Sequence, residues 1–118
     1  MRQSTLQRRR ALFREALAAI ERDYGDHGLS LDSVARSIAT SRRQLQRVFA
    51  EHRTSFRNEV QRVRMTRAAE LLRDPSLPVS AVARAVGYRQ PAQFSKAFRR
   101  HHGQPPSELR ASSRSLAA

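Results

Sequence analysis

The sequence contains no cysteine, which excludes a disulfide framework and any zinc site built on cysteine thiolates. No apolar run approaches the length of a membrane-spanning helix, and no apolar segment of a signal peptide follows Met1. These absences predict a reduced, soluble, intracellular protein.

Acidic residues are few. The 118 residues include 10 Asp and Glu against 23 Lys and Arg, so the formal net charge is +13. Lysine is almost absent as well, because Lys96 is the one lysine and the other 22 basic residues are arginines. Arginine forms bidentate contacts with phosphates and guanine, whereas lysine acts as a point charge. The charge therefore indicates a polyanionic partner, the alternative being a highly charged, merely soluble surface.

The residues of an enzyme site are also missing. The acidic residues are scattered, no glycine-rich loop is present to bind a phosphate, and the four histidines are His27, His52, His101 and His102. Adjacent residues do not face each other on a helix, so His101 and His102 do not predict a metal site. The sequence predicts no enzyme, no metal and no cofactor. A helical chain this short also has little room for a buried small-molecule pocket of ~300 Å³.

Residues 82–98 have the pattern of two short helices joined by a tight turn. Gly87 stands where a positive φ often ends a helix, and Pro91 suits the first turn of the next helix. Apolar residues recur on one side of each helix, which predicts one buried face per helix. These residues are Val82, Ala83 and Val86, then Phe94, Ala97 and Phe98. The pattern is that of a helix-turn-helix.

An earlier stretch, residues 34–49, repeats this pattern. Its first helix aligns with the later stretch at an offset of 48 and its second helix at an offset of 49, so the later turn is one residue longer. The aligned pairs are Val34 with Val82, Ala35 with Ala83, Arg36 with Arg84, Ile38 with Val86, Leu45 with Phe94, and Phe49 with Phe98. The repeat predicts two helix-turn-helix units in one small all-α protein.

An amphipathic helix precedes the first unit. Phe13, Leu17, Ile20 and Tyr24 step along one face and predict its buried side. The basic run Arg8–Arg10 is interpreted as the solvated face of this helix, in preference to a phosphate-binding arm.

A long helix from about Phe56 to Arg73 joins the two units. Its apolar residues change sides halfway, by roughly 150° around the axis. The first group is Phe56, Val60 and Val63, and the second is Met65, Ala68 and Leu72. We expect the first half to pack on one unit and the second half on the other. The predicted boundaries are 7–53 for the first subdomain, 55–73 for the linker helix and 78–112 for the second. Residues 1–6 and 112–118 are predicted to be loose.

The outer faces of the two second helices carry polar side chains that can read bases. Arginine and lysine can donate to guanine O6 and N7, glutamine can bridge adenine N6 and N7, and alanine can contact a thymine methyl. The candidates are Arg43, Gln46 and Arg47 in the first unit and Ala92, Gln93 and Lys96 in the second. Neighbouring residues are candidates for phosphate contacts: Ser41, Arg42, Arg89, Ser95 and Arg100. The alternative is that these are only solvated charges.

From about Phe13 to Arg110 the chain resembles the DNA-binding domain of the AraC/XylS family of bacterial transcription regulators. The resemblance rests on S-R-R-Q-L-Q-R-V-F, on R-M-T-R-A-A-E-L-L, and on V-A-R-A-V-G-Y followed by F-S-K-A-F-R-R-H-H-G-Q-P-P-S-E-L-R. It implies seven helices, with two helix-turn-helix subdomains joined by a long helix. It also implies that the six candidate residues occupy base-reading positions.

The sequence departs from the family pattern at three positions. Ala39 and Arg53 stand where glycine is common, and Leu109 stands where an aromatic residue is usual. A left-handed conformation at Ala39 or Arg53 would cost roughly 1 kcal/mol each. The usual effector or dimerisation domain is not part of this chain, so it resembles the small stand-alone members of the family or an excised DNA-binding domain.

The sequence therefore predicts a monomeric, cytoplasmic, nucleoid-associated regulator that binds double-stranded DNA at specific sites. RNA polymerase is a candidate partner. Both second helices are expected to enter major-groove segments about 34 Å apart. One alternative is a non-specific architectural nucleic-acid-binding protein, and another is a small-molecule sensor or enzyme.

Overall fold

A computed structural model describes the backbone of residues 2–117 and the side chains of residues 5–112. Within this range the protein is all-α, with seven helices and no strand, as predicted. The helices are α1 (Arg2–Asp23), α2 (Leu31–Ser37), α3 (Arg42–Glu51), α4 (Phe56–Leu71), α5 (Val79–Ala85), α6 (Pro91–His102) and α7 (Pro106–Ala117).

The chain divides into two compact units, and helix α4 contributes to both. Among the described residues, unit 1 comprises the chain up to Tyr24 together with Gly28–Gln61, and unit 2 comprises Gly25–His27 and the chain from Arg62 onward. Each unit has its own helix-turn-helix, α2–α3 in unit 1 and α5–α6 in unit 2. The turn is four residues in the first (38–41) and five in the second (86–90), so the predicted extra residue is confirmed.

The aromatic ring of Phe49, which is 1% exposed, lies at the centre of the core of unit 1. Phe13 and Phe56 approach this ring edge-on, with centroid distances of 5.6 and 6.1 Å. The other buried apolar residues of this unit are Leu12, Ala16, Ala19, Ile20, Val34, Ala35, Leu45, Val48 and Val60.

The predicted buried face of α1 is partly wrong. Ile20 is fully buried, but Phe13, Leu17 and Tyr24 are only half-buried. The most buried side of α1 carries Leu12 and the small residues Ala16 and Ala19, which let a neighbouring helix approach closely. The predicted loose ends are also wrong, since α1 begins at Arg2 and α7 continues to Ala117. Met1 and Ala118 lie outside the described residues.

Unit 2 has a core of apolar residues from α4, α5 and α6. Phe94 packs between Tyr88 and Phe98, with centroid distances of 5.6 and 5.7 Å. The buried hydrophobic residues of this core are Val63, Met65, Ala68, Leu72, Val82, Ala83, Val86, Phe94 and Phe98. The second apolar group predicted for the linker helix, Met65, Ala68 and Leu72, is thus confirmed as core.

Serine caps and residues with positive φ mark the ends of several helices. Ser30 and Ser33 form a capping box at the start of α2, and Ser41 caps α3. Gly87 and Gly103 have φ values of 93° and 78°. Ala39 (φ 56°) and Arg53 (φ 57°) occupy the left-handed region without being glycines. Non-glycine residues adopt this region at a cost, so both positions carry backbone strain.

Candidate nucleic-acid interface

Helix α3 presents three of the predicted base-reading residues to solvent. Leu45, Val48 and Phe49 are at most 1% exposed and fix the inner face of the helix. Arg43, Gln46 and Arg47 are exposed on the other side. Side chains three and four positions apart are neighbours on a helix surface, so these three form one continuous strip.

The N-terminus of α3 is fixed by Ser41. Its Oγ accepts a hydrogen bond of 3.0 Å from the backbone N–H of Gln44. A hydroxyl group that accepts in this way still has its own O–H to donate. Ser41 is exposed, so capping leaves it able to donate to a phosphate.

Arg42 is already paired. Its Nη1 lies 3.0 Å from Oδ2 of Asp32, and both side chains are more than half exposed. An exposed ion pair of this kind stabilises a protein by only about 0–1 kcal/mol. A phosphate can therefore compete with Asp32 for this guanidinium, and the predicted role of Arg42 is compatible with its position.

Helix α6 has the same division into two faces. Phe94 and Phe98 are 0% exposed, and Pro91 occupies the first turn as predicted. On the opposite side Ala92, Gln93 and Lys96 are exposed. Among the predicted phosphate contacts, Arg89 and Arg100 are exposed and Ser95 is half-buried.

Arg89 has a neighbour that the sequence did not predict. Its Nη2 donates a hydrogen bond to Nε2 of His27, a residue distant in the chain. His27 can accept this bond only on a nitrogen that carries no proton. Both side chains are exposed, so Arg89 lies on the surface of unit 2 beside the N-terminus of α6.

Several arginines of unit 2 hold the fold together and are not free for a partner. Arg110 donates to the backbone oxygens of Leu72, Asp74 and Leu77, at 3.1, 3.2 and 2.6 Å. Arg64 donates to the backbone oxygen of Asp26 at 2.9 Å. Burial lowers the pKa of Arg64, while nearby Tyr88 and Asp26 partly oppose this effect.

The histidines also have structural roles. In unit 1 the ring of His52 stacks on Phe13 at 3.7 Å, and its Nδ1 lies 2.9 Å from the backbone oxygen of Val48. In unit 2, Nε2 of His102 lies 2.9 Å from the backbone oxygen of Met65. Burial, followed by the charges of His102 and Arg62, lowers the pKa of His101. Among residues with described side chains, no three His, Cys, Asp or Glu are grouped to hold a metal ion.

A groove of about 360 Å³ runs along unit 1 beside the strip on α3. Its lining residues are Arg9, Ser41, Arg43, Gln44, Arg47 and Val48. Four of these come from α3, Ser41 is its N-cap, and Arg9 comes from α1. The interpretation of the basic run as a solvated face is correct for Arg8 and Arg10, which are exposed, but Arg9 is half-buried and lines the groove. The packing of α1 on α3 determines which arginine of the run reaches the groove.

A second groove of unit 1 has a volume of about 390 Å³ and is lined by both apolar and polar residues. This volume exceeds ~300 Å³, but the expectation from the sequence concerned a buried pocket. Neither groove is a buried pocket, because exposed residues such as Arg43 and Gln46 line them. Among the described helices, none is long and apolar enough to span a membrane.

Comparisons with known proteins identify the family. Residues 34–112 match the sequence profile described as "Helix-turn-helix domain". The chain is 37% identical over 101 residues to the HTH-type transcriptional regulator GlxA of Rhizobium meliloti (strain 1021), covering 85% of this chain and 30% of that protein.

Two solved structures are similar throughout. The C-terminal domain of AraT, a response regulator from Geobacillus stearothermophilus, has a TM-score of 0.81 and 33% identity, covering 86% of this chain and 84% of that one. A transcriptional regulator from Chromobacterium violaceum, described among AraC-type DNA-binding domain-containing proteins, has a TM-score of 0.80 and 30% identity, with coverages of 88% and 93%.

The chain spans about a third of the length of the curated relatives that it matches. The family match nevertheless covers well over half of this chain, and the two structures cover nearly all of it. The protein therefore belongs to the helix-turn-helix family of the AraC type, as a sequence-specific DNA-binding domain of transcription regulators.

Proposed function

We propose that the chain binds a specific duplex site by placing α3 and α6 each in a major-groove segment, and that the whole protein regulates transcription in this way. The observation that carries the proposal is the matched division of the two helices. In each, the apolar side is buried and three candidate base-reading residues are exposed on the other side.

In the first unit, we assign base reading to Arg43, Gln46 and Arg47. The two arginines are four positions apart on α3, and each can make a bidentate contact to O6 and N7 of a guanine. Gln46 lies between them and can bridge N6 and N7 of an adenine. This unit is expected to read the part of the site that contains guanine.

In the second unit, we assign base reading to Ala92, Gln93 and Lys96. The first two lie in the N-terminal turn of α6, the part of a recognition helix that contacts base edges in helix-turn-helix proteins. Ala92 suits a thymine methyl and Gln93 an adenine, while Lys96 acts as a point charge. This unit is expected to be the less stringent of the two.

Phosphate contacts position the protein without reading sequence. Ser41 and Arg42 serve this purpose in unit 1, and Arg89, Ser95 and Arg100 in unit 2. We place the functional boundaries at 7–53 and 78–112, with 55–73 as the linker helix. The protein acts on DNA in the cytoplasm, associated with the nucleoid, and a contact with RNA polymerase would convert binding into regulation. In this proposal the chain is neither an enzyme nor a small-molecule sensor.

The proposal is tested by selecting bound duplexes from a random library and then measuring two affinities. The selected duplex and an unrelated duplex of equal length are compared at one salt concentration. Specific binding of this class exceeds non-specific binding by about 10³-fold or more. A ratio near one would instead indicate an architectural protein that binds any duplex.

A further inference from the structure

Among the α1 residues whose side chains are described, Arg9 alone lines the groove beside the base-reading strip. Its Nη1 lies 3.3 Å from Oε1 of Glu51, the last residue of α3. Glu51 lies four positions after Arg47, one turn farther along the helix. The ion pair and the position of Arg9 in the groove lining both place its guanidinium next to the outer face of α3.

The groove concentrates positive charge. The side chains of Arg9, Arg43 and Arg47 line it together, and no carboxylate is among the lining residues. Glu51 pairs with Arg9 from outside the lining set and balances at most one of the three charges. Three guanidinium groups around a space of about 360 Å³ suit an anion with several acceptor oxygens.

We propose that Arg9 binds a phosphate of the DNA strand that runs beside α3, so that α1 belongs to the DNA interface. The inference rests on the proposed function, since it takes Arg43 and Arg47 to be in contact with bases. A guanidinium has five N–H donors, so Arg9 can keep its bond to Glu51 while it donates to a phosphate oxygen. Glu51 is then a positioning residue, and its own charge opposes the phosphate.

Two variants distinguish this role from a purely structural ion pair. Arg9→Gln removes the cation, whereas Glu51→Gln removes the same ion pair and leaves the cation in place. Arg10→Gln is the matched control, because Arg10 is exposed on α1 and does not line the groove. All three are compared with the parent on the selected duplex across a series of salt concentrations.

For Arg9→Gln we expect about tenfold weaker binding, as for the loss of one charged hydrogen bond, and a salt slope shallower by about 0.9, as for one phosphate. The weakening should be equal on selected and unrelated duplexes. Glu51→Gln should bind as tightly as the parent or more tightly, and Arg10→Gln should keep the parent's slope to within about 0.3.

A methylphosphonate scan of the duplex provides the second measurement. One neutral linkage beside the α3 half-site should weaken the parent and have no further effect on Arg9→Gln. Equal weakening by Arg9→Gln and Glu51→Gln would overturn the proposal, as would a scan in which no linkage distinguishes Arg9→Gln from the parent. The proposal would also be overturned if Arg9→Gln bound inorganic phosphate more weakly than the parent but bound the duplex equally well. If the parent itself shows no preference for the selected duplex, the proposed function fails instead.

Discussion

At the scale of single residues, Ala39 and Arg53 carry the clearest local conflict between sequence and backbone. Both follow the end of a helix with φ near 56°, where glycine is the residue without a steric penalty. The sequence alone identified both positions, because each stands where the family commonly has glycine. The folded backbone is in the left-handed region at both positions, and neither is a candidate base-reading residue.

We predict that Ala39→Gly and Arg53→Gly each raise the free energy of unfolding. Relief of the left-handed conformation is worth about 1–2 kcal/mol, whereas the added freedom of glycine in the unfolded chain costs about 0.4–1 kcal/mol. The net gain should be about 0.5–1 kcal/mol per site, as the difference of these two effects. Denaturant unfolding monitored by circular dichroism measures it.

Ala18→Gly provides the control for this prediction, because Ala18 is exposed in the middle of α1. The same chemical change should there lower the free energy of unfolding by about 1 kcal/mol. If Ala39→Gly and Ala18→Gly destabilise the protein equally, the left-handed strain at Ala39 has been overestimated.

At the scale of helices and turns, the sequence predicted best the features that depend on residues close together in the chain. The caps at Ser30 and Ser41, and the positive φ of Gly87, follow from residue types at fixed positions. The change of side along α4 was only partly predicted. Met65, Ala68 and Leu72 are buried in unit 2 as expected, but Val63, which the pattern groups with Phe56 and Val60, also lies in unit 2. That helix ends at Leu71, two residues earlier than expected.

The buried face of α1 was less predictable, because it depends on packing between helices that are distant in the chain. Ala16 and Ala19 carry little weight in a hydrophobic pattern, yet they form the contact face. Phe13 contacts the core ring of Phe49, but it is only half-buried because its other neighbour is the exposed ring of His52. The same packing brings Arg9 to the groove, which no periodicity in the sequence could show.

We predict that Phe94→Ala or Phe98→Ala destabilises unit 2 without redefining its base preference. Both rings are 0% exposed, and truncation of a buried phenylalanine typically costs about 3–5 kcal/mol. Small domains have about 5–15 kcal/mol of stability in total, so this is a large share. Thermal melting of each variant, followed by hydrogen exchange of unit 2 amides, measures the effect.

Lys96→Ala is the control from the opposite face of the same helix. It should melt like the parent, because Lys96 is exposed and its truncation leaves no cavity in the core. A Phe94→Ala variant that melts like the parent and has only altered specificity would mean that the two faces of α6 have been assigned the wrong way round.

At the scale of the whole molecule, the net charge of +13 raises both the affinity for any duplex and the rate of association with it. We predict a steep salt dependence of binding to the selected duplex. If about six to eight phosphates are neutralised, the slope of log K against log salt should be about −5 to −7. A slope shallower than about −2 would show that the charge contributes little to binding.

We also expect one chain per site. Two helix-turn-helix units are present in the chain, so two-fold symmetry is not required to place two recognition helices. Sedimentation of the complex with the selected duplex measures how many chains bind one site. Two chains in the smallest complex would contradict a monomeric regulator that binds an asymmetric site.

The central claim is that the exposed faces of α3 and α6 read different halves of one site. Site-selection profiles of the parent, Arg47→Ala and Lys96→Ala test it most directly. Arg47→Ala should relax base preference in one guanine-containing half by about 1–3 kcal/mol, while Lys96→Ala should weaken binding evenly across sequences. Equal loss of preference in both halves for Arg47→Ala, or a sharper loss for Lys96→Ala, would contradict the account.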